Sequence, residues 1–392
     1  MSIKINNKKI SIIGGAGHVG FPLGIVFASK GFKVHLVDKN KDFLNSINNG
    51  IPPFLEKGAN KILKKALKEK KVFTNLDYEP IKTSKFVVVC IGTPIDSNLK
   101  PKIKEFLNFF YFIKKLITKS QIIIIRSSIF PGVFNKVCKI LKNSNVVYCP
   151  ERIVQGKSIE ELPRLPQIIA GNNNKSINLT KKLFKKISTK IIITSVLEAE
   201  LIKLFSNANR YVNFSIANQL YMICKENKLN FSRVRNIMRD GYERNLNLPT
   251  AGFTAGPCLL KDTMQLSSFY KNKFSLGNTA MHINENIPKF LITDLKKKYN
   301  LKKKYIGILG LAFKAETDDI RDSLAVKLVK YLKKNNLKVL QSDEYYKNNF
   351  TIKKELLIKK SDIIIIAAPH ENYKKIKFPK KKVVVDIWGI IK

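Results

Sequence analysis

The chain has 392 residues, 44% of them hydrophobic, which is too long for one hydrophobic core and too apolar for a disordered chain, so two or three folded domains are expected. A formal charge of +43 raises nucleic acid or an acidic membrane surface as partner, but lysine far outnumbers arginine and runs with asparagine and isoleucine along the whole chain. That is a compositional bias rather than a patch, and with no aromatic-interleaved basic motif or zinc-finger spacing it leaves only non-specific polyanion binding at low salt.

In the opening MSIKINNKKI, Lys and Asn interrupt the apolar run that a secretory signal needs. The longest apolar runs, such as 122–125 and 363–368, fall far short of the roughly 18 residues of a membrane span. A cytoplasmic protein with no membrane insertion is expected. From residue 10 to 194 the short β-branched runs ISIIGG, KVHLVD, KFVVVC, QIIIIR, NVVYC, PQIIAG and KIIIT alternate with helical stretches. This predicts an α/β domain over 1–194, a Rossmann-like parallel sheet with helices on both faces. Its first strand enters Gly15, Gly17 and Gly20, a GxGxxG enclosing His18 and Val19 that opens a helix, and Asp38 ends the next strand. Glycines there let a pyrophosphate approach backbone and helix N-terminus, while the acid accepts hydrogen bonds from a ribose diol. Asp38 would repel a 2′-phosphate and so favours NAD over NADP, with Lys39 and Lys41 beside it acting the other way.

At Ser195 the texture changes. Ser195 and Glu198 form a capping-box pattern, followed by about eight turns of helical periodicity. Helical pattern continues to Arg239, a Gly- and Pro-containing loop covers 241–257, and further helix runs to residue 297, predicting a central helical domain over 195–297. The segment LKKKYNLKKK is a solvated linker or a charged helix end. Strand and helix alternation then resumes with KYIGILG, LKVLQSD, SDIIIIAA and KVVVDIWG, predicting a smaller α/β domain over 298–392.

Five scattered cysteines without CxxC spacing indicate neither a disulfide framework nor a thiolate metal site, and four histidines without paired spacing, His18 and His370 among them, argue against any metal. Cys90, Cys138, Cys149 and Cys224 fall in strand or helix patterns and are read as buried hydrophobes. Cys258 differs, lying in AGFTAGPCLLKD between glycines and the Lys261-Asp262 pair. Backbone amides and nearby lysine suit a nucleophilic thiolate. On the long helix Glu200, Lys203 and Asn207 share one face, the plain reading being a surface salt bridge between Glu200 and Lys203. Glu151 with Arg152 is likewise open to reading as a loop ion pair, and Arg321 with Asp318 or Asp319 as a helix cap.

Seven motifs in order, GGAGHVGFPLG, CIGTP, RSSIFPG, CPERIVQG, EAELIKLFSNA, AGPCLLKD and GLAFKAETDDIRDS with APHENY, span nearly the whole chain. The sequence resembles the UDP-glucose/GDP-mannose dehydrogenase family. The resemblance implies NAD-dependent, four-electron oxidation of a nucleotide sugar's C6 hydroxymethyl to a uronate, for surface polysaccharide precursors, by a homodimer joined through the central region. It further implies that Cys258 is the covalent nucleophile, that Lys203 and Asn207 stabilise charge on the C6 oxygen, and that Asp262 orients water and lysine. Glu151 matches a glutamate implicated in thioester hydrolysis, and Ser128 stands where threonine is common. Thr93, Ser128 and Arg321 would lie beside the cofactor with Gly15, Gly17, His18, Val19, Gly20 and Asp38. Glu151, Arg152, Lys203, Asn207, Arg244, Gly252, Phe313 and Lys314 would bind the UDP-sugar. The chain departs in reading GPC where many relatives have GSC or GHC and in a shorter loop between Arg244 and Cys258. CPERIVQGKSIEEL is closer to enzymes of UDP-N-acetylhexosamines than to the NPEF form, placing UDP-glucose second. Two rivals remain: a two-electron hydroxyacid-type NAD dehydrogenase, needing neither Cys258 nor a second nucleotide-binding domain, and a non-catalytic polyanion binder.

Overall fold

The computed structural model describes residues 6–96, 99–142 and 145–391. The chain divides into two compact units, Met1–Phe205 and Ser206–Lys392. In the first, strands β1 (Asn6–Ile13), β2 (Lys33–Val37), β3 (Val72–Asn75), β4 (Ser84–Val89), β5 (Ile122–Ile125), β6 (Asn145–Tyr148), β7 (Gln167–Gly171) and β8 (Ile191–Ile193) form one sheet of order β3-β2-β1-β4-β5-β6-β7-β8. Helices α1 (Gly20–Ser29), α2 (Lys41–Asn48), α3 (Ala59–Lys68), α4 (Ile103–Ile113), α5 (Val133–Leu141), α6 (Ser158–Arg164) and α7 (Asn174–Phe184) connect them.

Central strands such as the all-isoleucine β5 are buried on both faces, the pattern a parallel sheet covered by helices requires. Alternate residues serve different cores. Ile10, Ile12, Val88, Ile122 and Ile124 join a cluster with α1, α3 and α7, whereas Ile13, Val87, Val89, Ile123 and Ile125 join one with α4 and α5. The sheet departs from the expected all-parallel form at one place: β7 runs antiparallel to β6. A parallel pair needs a crossover running back the length of the sheet, and the 149–166 connection, with only the seven-residue α6, returns at the same end instead. Strand and helix alternation in a sequence does not encode that direction.

Helix α8 (Val196–Glu226) is 31 residues long and opens with the expected capping box: the Ser195 amide donates to Glu198 Oε2 at 3.0 Å and the Glu198 amide to Ser195 Oγ at 3.4 Å. The second unit continues with α9 (Phe231–Arg239), α10 (Leu259–Phe269), α11 (Ser275–Lys298), α12 (Leu324–Lys334) and α13 (Lys354–Lys360), and with strands β9 (Tyr305–Leu309), β10 (Lys338–Ser342), β11 (Ile363–Ile366) and β12 (Val383–Asp386) in the parallel order β10-β9-β11-β12. Of the two readings for 295–304, the charged helix end is observed. Helix α11 runs to Lys298, and buried Leu295 and Leu301 anchor the lysines around them. One hydrophobic cluster takes in Ala217, Tyr221, Ile287 and Leu291 of the helices together with Ile306, Ile308, Leu328 and Ile365 of the small α/β layer. Among the described residues, no helix is long and apolar enough to cross a membrane.

Candidate active site

In the first unit, β1 ends in a turn that only small residues can make. Gly14 has φ +74°, and a Cβ on Gly20 would sit 2.2 Å from the Gly14 carbonyl oxygen, so the chain folds back on itself here without side chains. Gly15 is also closely packed, against Ile12 and Leu36, while Gly17 is more open. Helix α1 then starts at Gly20 with Val19 as its N-cap residue, no side-chain cap and no acid in its first turn. By contrast, Asn40 caps α2 with its own side chain. Asp38, partly exposed at the end of β2, accepts from the amides of Ala16 and Asn40, each at 3.0 Å. His18 lies against Phe54, ring centroids 3.8 Å apart, with Gln155 Nε2 at 3.3 Å from its Nε2.

Following β4 and β5, the Thr93 hydroxyl donates to the Ser128 carbonyl at 2.5 Å, bringing two expected cofactor-side residues together. After β6 comes Glu151, buried, with the amides of Arg152 and Ile153 donating to Oε1 at 2.7 and 3.1 Å. Its ion pair is with Arg126, not Arg152, because Arg126 projects from the end of the adjacent β5 while the Arg152 guanidinium donates to the Pro166 carbonyl. Arg126, missed in the sequence, is fully buried and also bonds Gln167 at 2.9 Å and the Cys149 sulfur at 3.0 Å. An isolated arginine in RSSIFPG carries no signal that a carboxylate 25 residues on will meet it.

Glu200 corrects a second expectation. It is buried rather than paired with Lys203 on the surface: its carboxylate accepts from the amides of Gly132 and Phe134 at 2.8 and 3.1 Å and so caps α5, which has no cap of its own. Burial pushes its carboxyl upward despite these bonds. Lys203 is buried one turn before Asn207 on α8.

In the second unit, Cys258 is the N-cap residue of α10 and the only exposed cysteine. Burial pushes the thiols of Cys90 to about 12 and Cys138 to about 11, and raises that of Cys149, which leaves them unsuited to attack. One turn into α10, fully buried Asp262 accepts from Asn207 Nδ2 at 2.6 Å and meets Lys261 Nζ at 3.1 Å. Burial works against the Lys261 charge, but Asp262 and then Cys258 outweigh it and raise its pKa. Arg321 is raised as well, first by its hydrogen bonds to Asp319 and further by Cys258. Both side chains are therefore held as cations. The Asp319 contact holds the guanidinium at 2.6 to 3.0 Å and is not a helix cap; Ser323 caps α12. Phe313 packs over Gly256, where a Cβ would lie 2.5 Å from its ring, and half-buried Lys314 follows it. Gly252 is buried beneath Trp388. Arg244 stands apart on an exposed turn, bonded at 3.2 Å to the Tyr242 hydroxyl. Among the described residues, no cluster of three or more His, Cys, Asp or Glu is placed to hold a metal.

Family models match the chain in three stretches, the NAD binding domain over residues 8–188, the central domain over 197–286 and the UDP binding domain over 307–392. The chain belongs to the UDP-glucose/GDP-mannose dehydrogenase family. It is similar to the UDP-N-acetyl-D-mannosamine dehydrogenase of Pyrococcus horikoshii, 29% identical over 98% of this chain and 96% of that protein. It is also similar to the UDP-glucose 6-dehydrogenase of Rickettsia bellii, 25% identical over 96% of this chain and 94% of that one. A solved structure of the Pyrococcus horikoshii UDP-D-ManNAc dehydrogenase superposes with a TM-score of 0.89 at 28% identity, covering 98% of this chain and 96% of that chain.

The protein is thus an NAD-dependent nucleotide-sugar dehydrogenase, and its first unit fits that cofactor. The side-chain-free turn and the uncapped, acid-free N-terminus of α1 suit a pyrophosphate, and Asp38 keeps accepting capacity for a ribose. Thr93 and Ser128 follow the carboxyl ends of β4 and β5, beside the β1/β4 switch point where ligands of such sheets bind.

Proposed function

We propose that the dehydrogenase oxidises the C6 hydroxymethyl of a UDP-N-acetylhexosamine to the carboxylate through a thioester on Cys258, with UDP-N-acetylmannosamine the first substrate to test and UDP-glucose the second. The carrying observation is Cys258 itself, exposed at the head of α10 with the Lys261-Asp262-Asn207 cluster at the first turn of that helix. The likeness to mannosamine and glucose enzymes orders the substrates.

NAD, when bound, supplies the hydride acceptor and is used twice per sugar. The residues do the rest. Lys203 and Asn207 stabilise charge on the C6 oxygen as the alcohol loses its proton. At the aldehyde level the Cys258 sulfur adds to C6, forming a C–S bond that prevents escape of a free aldehyde. Removal of the remaining C6 hydrogen as hydride leaves a thioester. Water, oriented by Asp262, adds to that carbonyl and the C–S bond breaks, returning the thiolate and releasing the uronate. Glu151, fixed by Arg126, is assigned to holding water and sugar at this stage, with Arg152 beside it. Phe313, Lys314, Gly252 and Arg244 are assigned to the nucleotide sugar and Arg321 to the cofactor side. A homodimer through the central region is supported by exposed apolar residues Phe205, Ile216 and Ile223 along α8 and Ile237 on α9. We assign the enzyme to the cytoplasm and to the supply of surface polysaccharide precursors.

The test is NADH formed per mole of product for UDP-N-acetylmannosamine, UDP-N-acetylglucosamine, UDP-glucose and GDP-mannose, with wild type and Cys258→Ser. Two NADH with one sugar, and loss of uronate formation in the variant, is expected. One NADH, or an indifferent variant, replaces this reading with a two-electron dehydrogenase.

A further inference from the structure

Residues 251–256, just before Cys258, are neither helix nor strand, yet every one of them is buried. Buried irregular backbone must have its polar groups satisfied from elsewhere. The Gly252 amide donates to Asn218 Oδ1 at 2.8 Å, Asn218 Nδ2 to Asn284 Oδ1 at 2.8 Å, and Asn284 Nδ2 to the Tyr211 carbonyl at 3.1 Å. Both asparagines are fully buried, so this relay fixes the orientation of each carboxamide and ties the loop to α8 and α11. From another direction the Trp388 indole covers Gly252 so closely that a Cβ there would lie 2.3 Å from a ring carbon. Trp388 is itself held, its Nε1 donating to the Ala367 carbonyl at 3.2 Å and its amide to Asp386 at 3.1 Å.

We propose that Asn218 and Trp388 clamp Gly252 between them and act as positioning residues that set where the loop delivers Cys258. The proposal rests on Cys258 as nucleophile, but the clamp has a readout of its own. Cys258 is the one exposed thiol, and its alkylation by iodoacetamide needs neither cofactor nor sugar. Trp388 is the only tryptophan, so its emission reports the same spot.

The experiment compares wild type, Asn218→Ala, Trp388→Leu, Trp388→Phe and a core control, Val137→Ala on α5, by melting, Cys258 alkylation rate, kcat and KM. Misplacing a reacting group by about 1 Å costs on the order of 10²-fold in rate, so Trp388→Leu and Asn218→Ala should lower kcat by about that factor with KM changed far less. Their alkylation rates should shift about tenfold from wild type by the same misplacement. Trp388→Phe, which keeps an aromatic plate on Gly252, should recover most of the loss, and Trp388 emission should move to the red in Asn218→Ala. The clamp is overturned if a folded Trp388→Leu alkylates and turns over within about twofold of wild type, or if Val137→Ala, which lies in a hydrophobic cluster separate from the loop's, loses as much. Should Asn218→Ala not fold, the two Trp388 variants decide. Retention of two-NADH turnover in Cys258→Ser would sink the nucleophile assignment while leaving the alkylation result to judge the clamp.

Discussion

Strands β1 and β9 each run into a turn, and in both sheets the neighbouring strand ends in an aspartate whose carboxylate reaches back to that turn: Asp38 to the amide of Ala16, Asp343 to those of Leu311 and Ala312 at 2.5 and 3.0 Å. The strand orders β2-β1-β4-β5 and β10-β9-β11-β12 match as well. What differs is how much accepting capacity remains. Asp38 is partly exposed and takes one amide on each oxygen, whereas Asp343 is buried and adds the amides of Tyr345 and Tyr346 on Oδ1 and His370 Nε2 at 3.4 Å from Oδ2. A carboxylate offers about four lone-pair sites, so Asp343 is saturated by its own chain and Asp38 is not. The same topological position thus keeps free accepting capacity in one sheet and is a structural lock in the other. Any nucleotide held by the second unit must be recognised by other means.

The comparison can be broken most directly at Asp343. Asp343→Ala leaves several buried amides unpaired and should cost about 3–5 kcal/mol, lowering the melting temperature without changing NAD affinity in protein that remains folded. Next comes its acid sensitivity. Burial pushes the Asp343 carboxyl up, but the hydrogen bond and charge of His370, with the amides of Tyr346 and Ala312, outweigh it and hold the pKa at about 2. The stabilisation is therefore complete above the ordinary value of 3.8, falls away as the pH drops through about 2, and amounts to about 2 kcal/mol. The difference in urea midpoint between wild type and Asp343→Asn should shrink over that window; a constant difference would refute the lock. Asp38→Ala should show the opposite division, weakening NAD about tenfold by calorimetry while moving the cofactor-free melting temperature little. The smallest effects sharpen the contrast by being equal: Asn40 and Ser323 cap α2 and α12, and replacing either with alanine should cost about 1 kcal/mol of unfolding free energy.

Much of the first sheet was legible because its signals are contiguous. Runs such as IIII at β5, the glycine turn and Asp38 lie within single strand-turn-helix units, and Ser195 with Glu198 spans one helical turn. Cys258 stood out because its loop composition differed from the settings of the other four cysteines. What stayed hidden depends on partners brought together by the sheet. Arg126 meets Glu151 only because β5 and β6 are neighbours, and Asp343 meets Leu311 only because β10 pairs with β9. Glu200 shows the limit of periodicity. Spacing put it on a face with Lys203 and Asn207, but a long side chain on a helix follows the nearest unsatisfied donors, here the bare amides at the head of α5. The antiparallel β7 is the same lesson for a whole strand, since apolar runs are blind to direction.

The boundary between the compact units falls after Phe205, inside α8, with Lys203 on one side and Asn207 on the other. Domain junctions usually tolerate insertion because they are loops, but this one is counted in helical phase. A single added alanine between these residues would turn everything after it by about 100° and advance it about 1.5 Å. The chain should accordingly accept length changes in its surface loops far more readily than at its own domain junction, and fragments divided there would share one helix unequally, the larger part falling to the second.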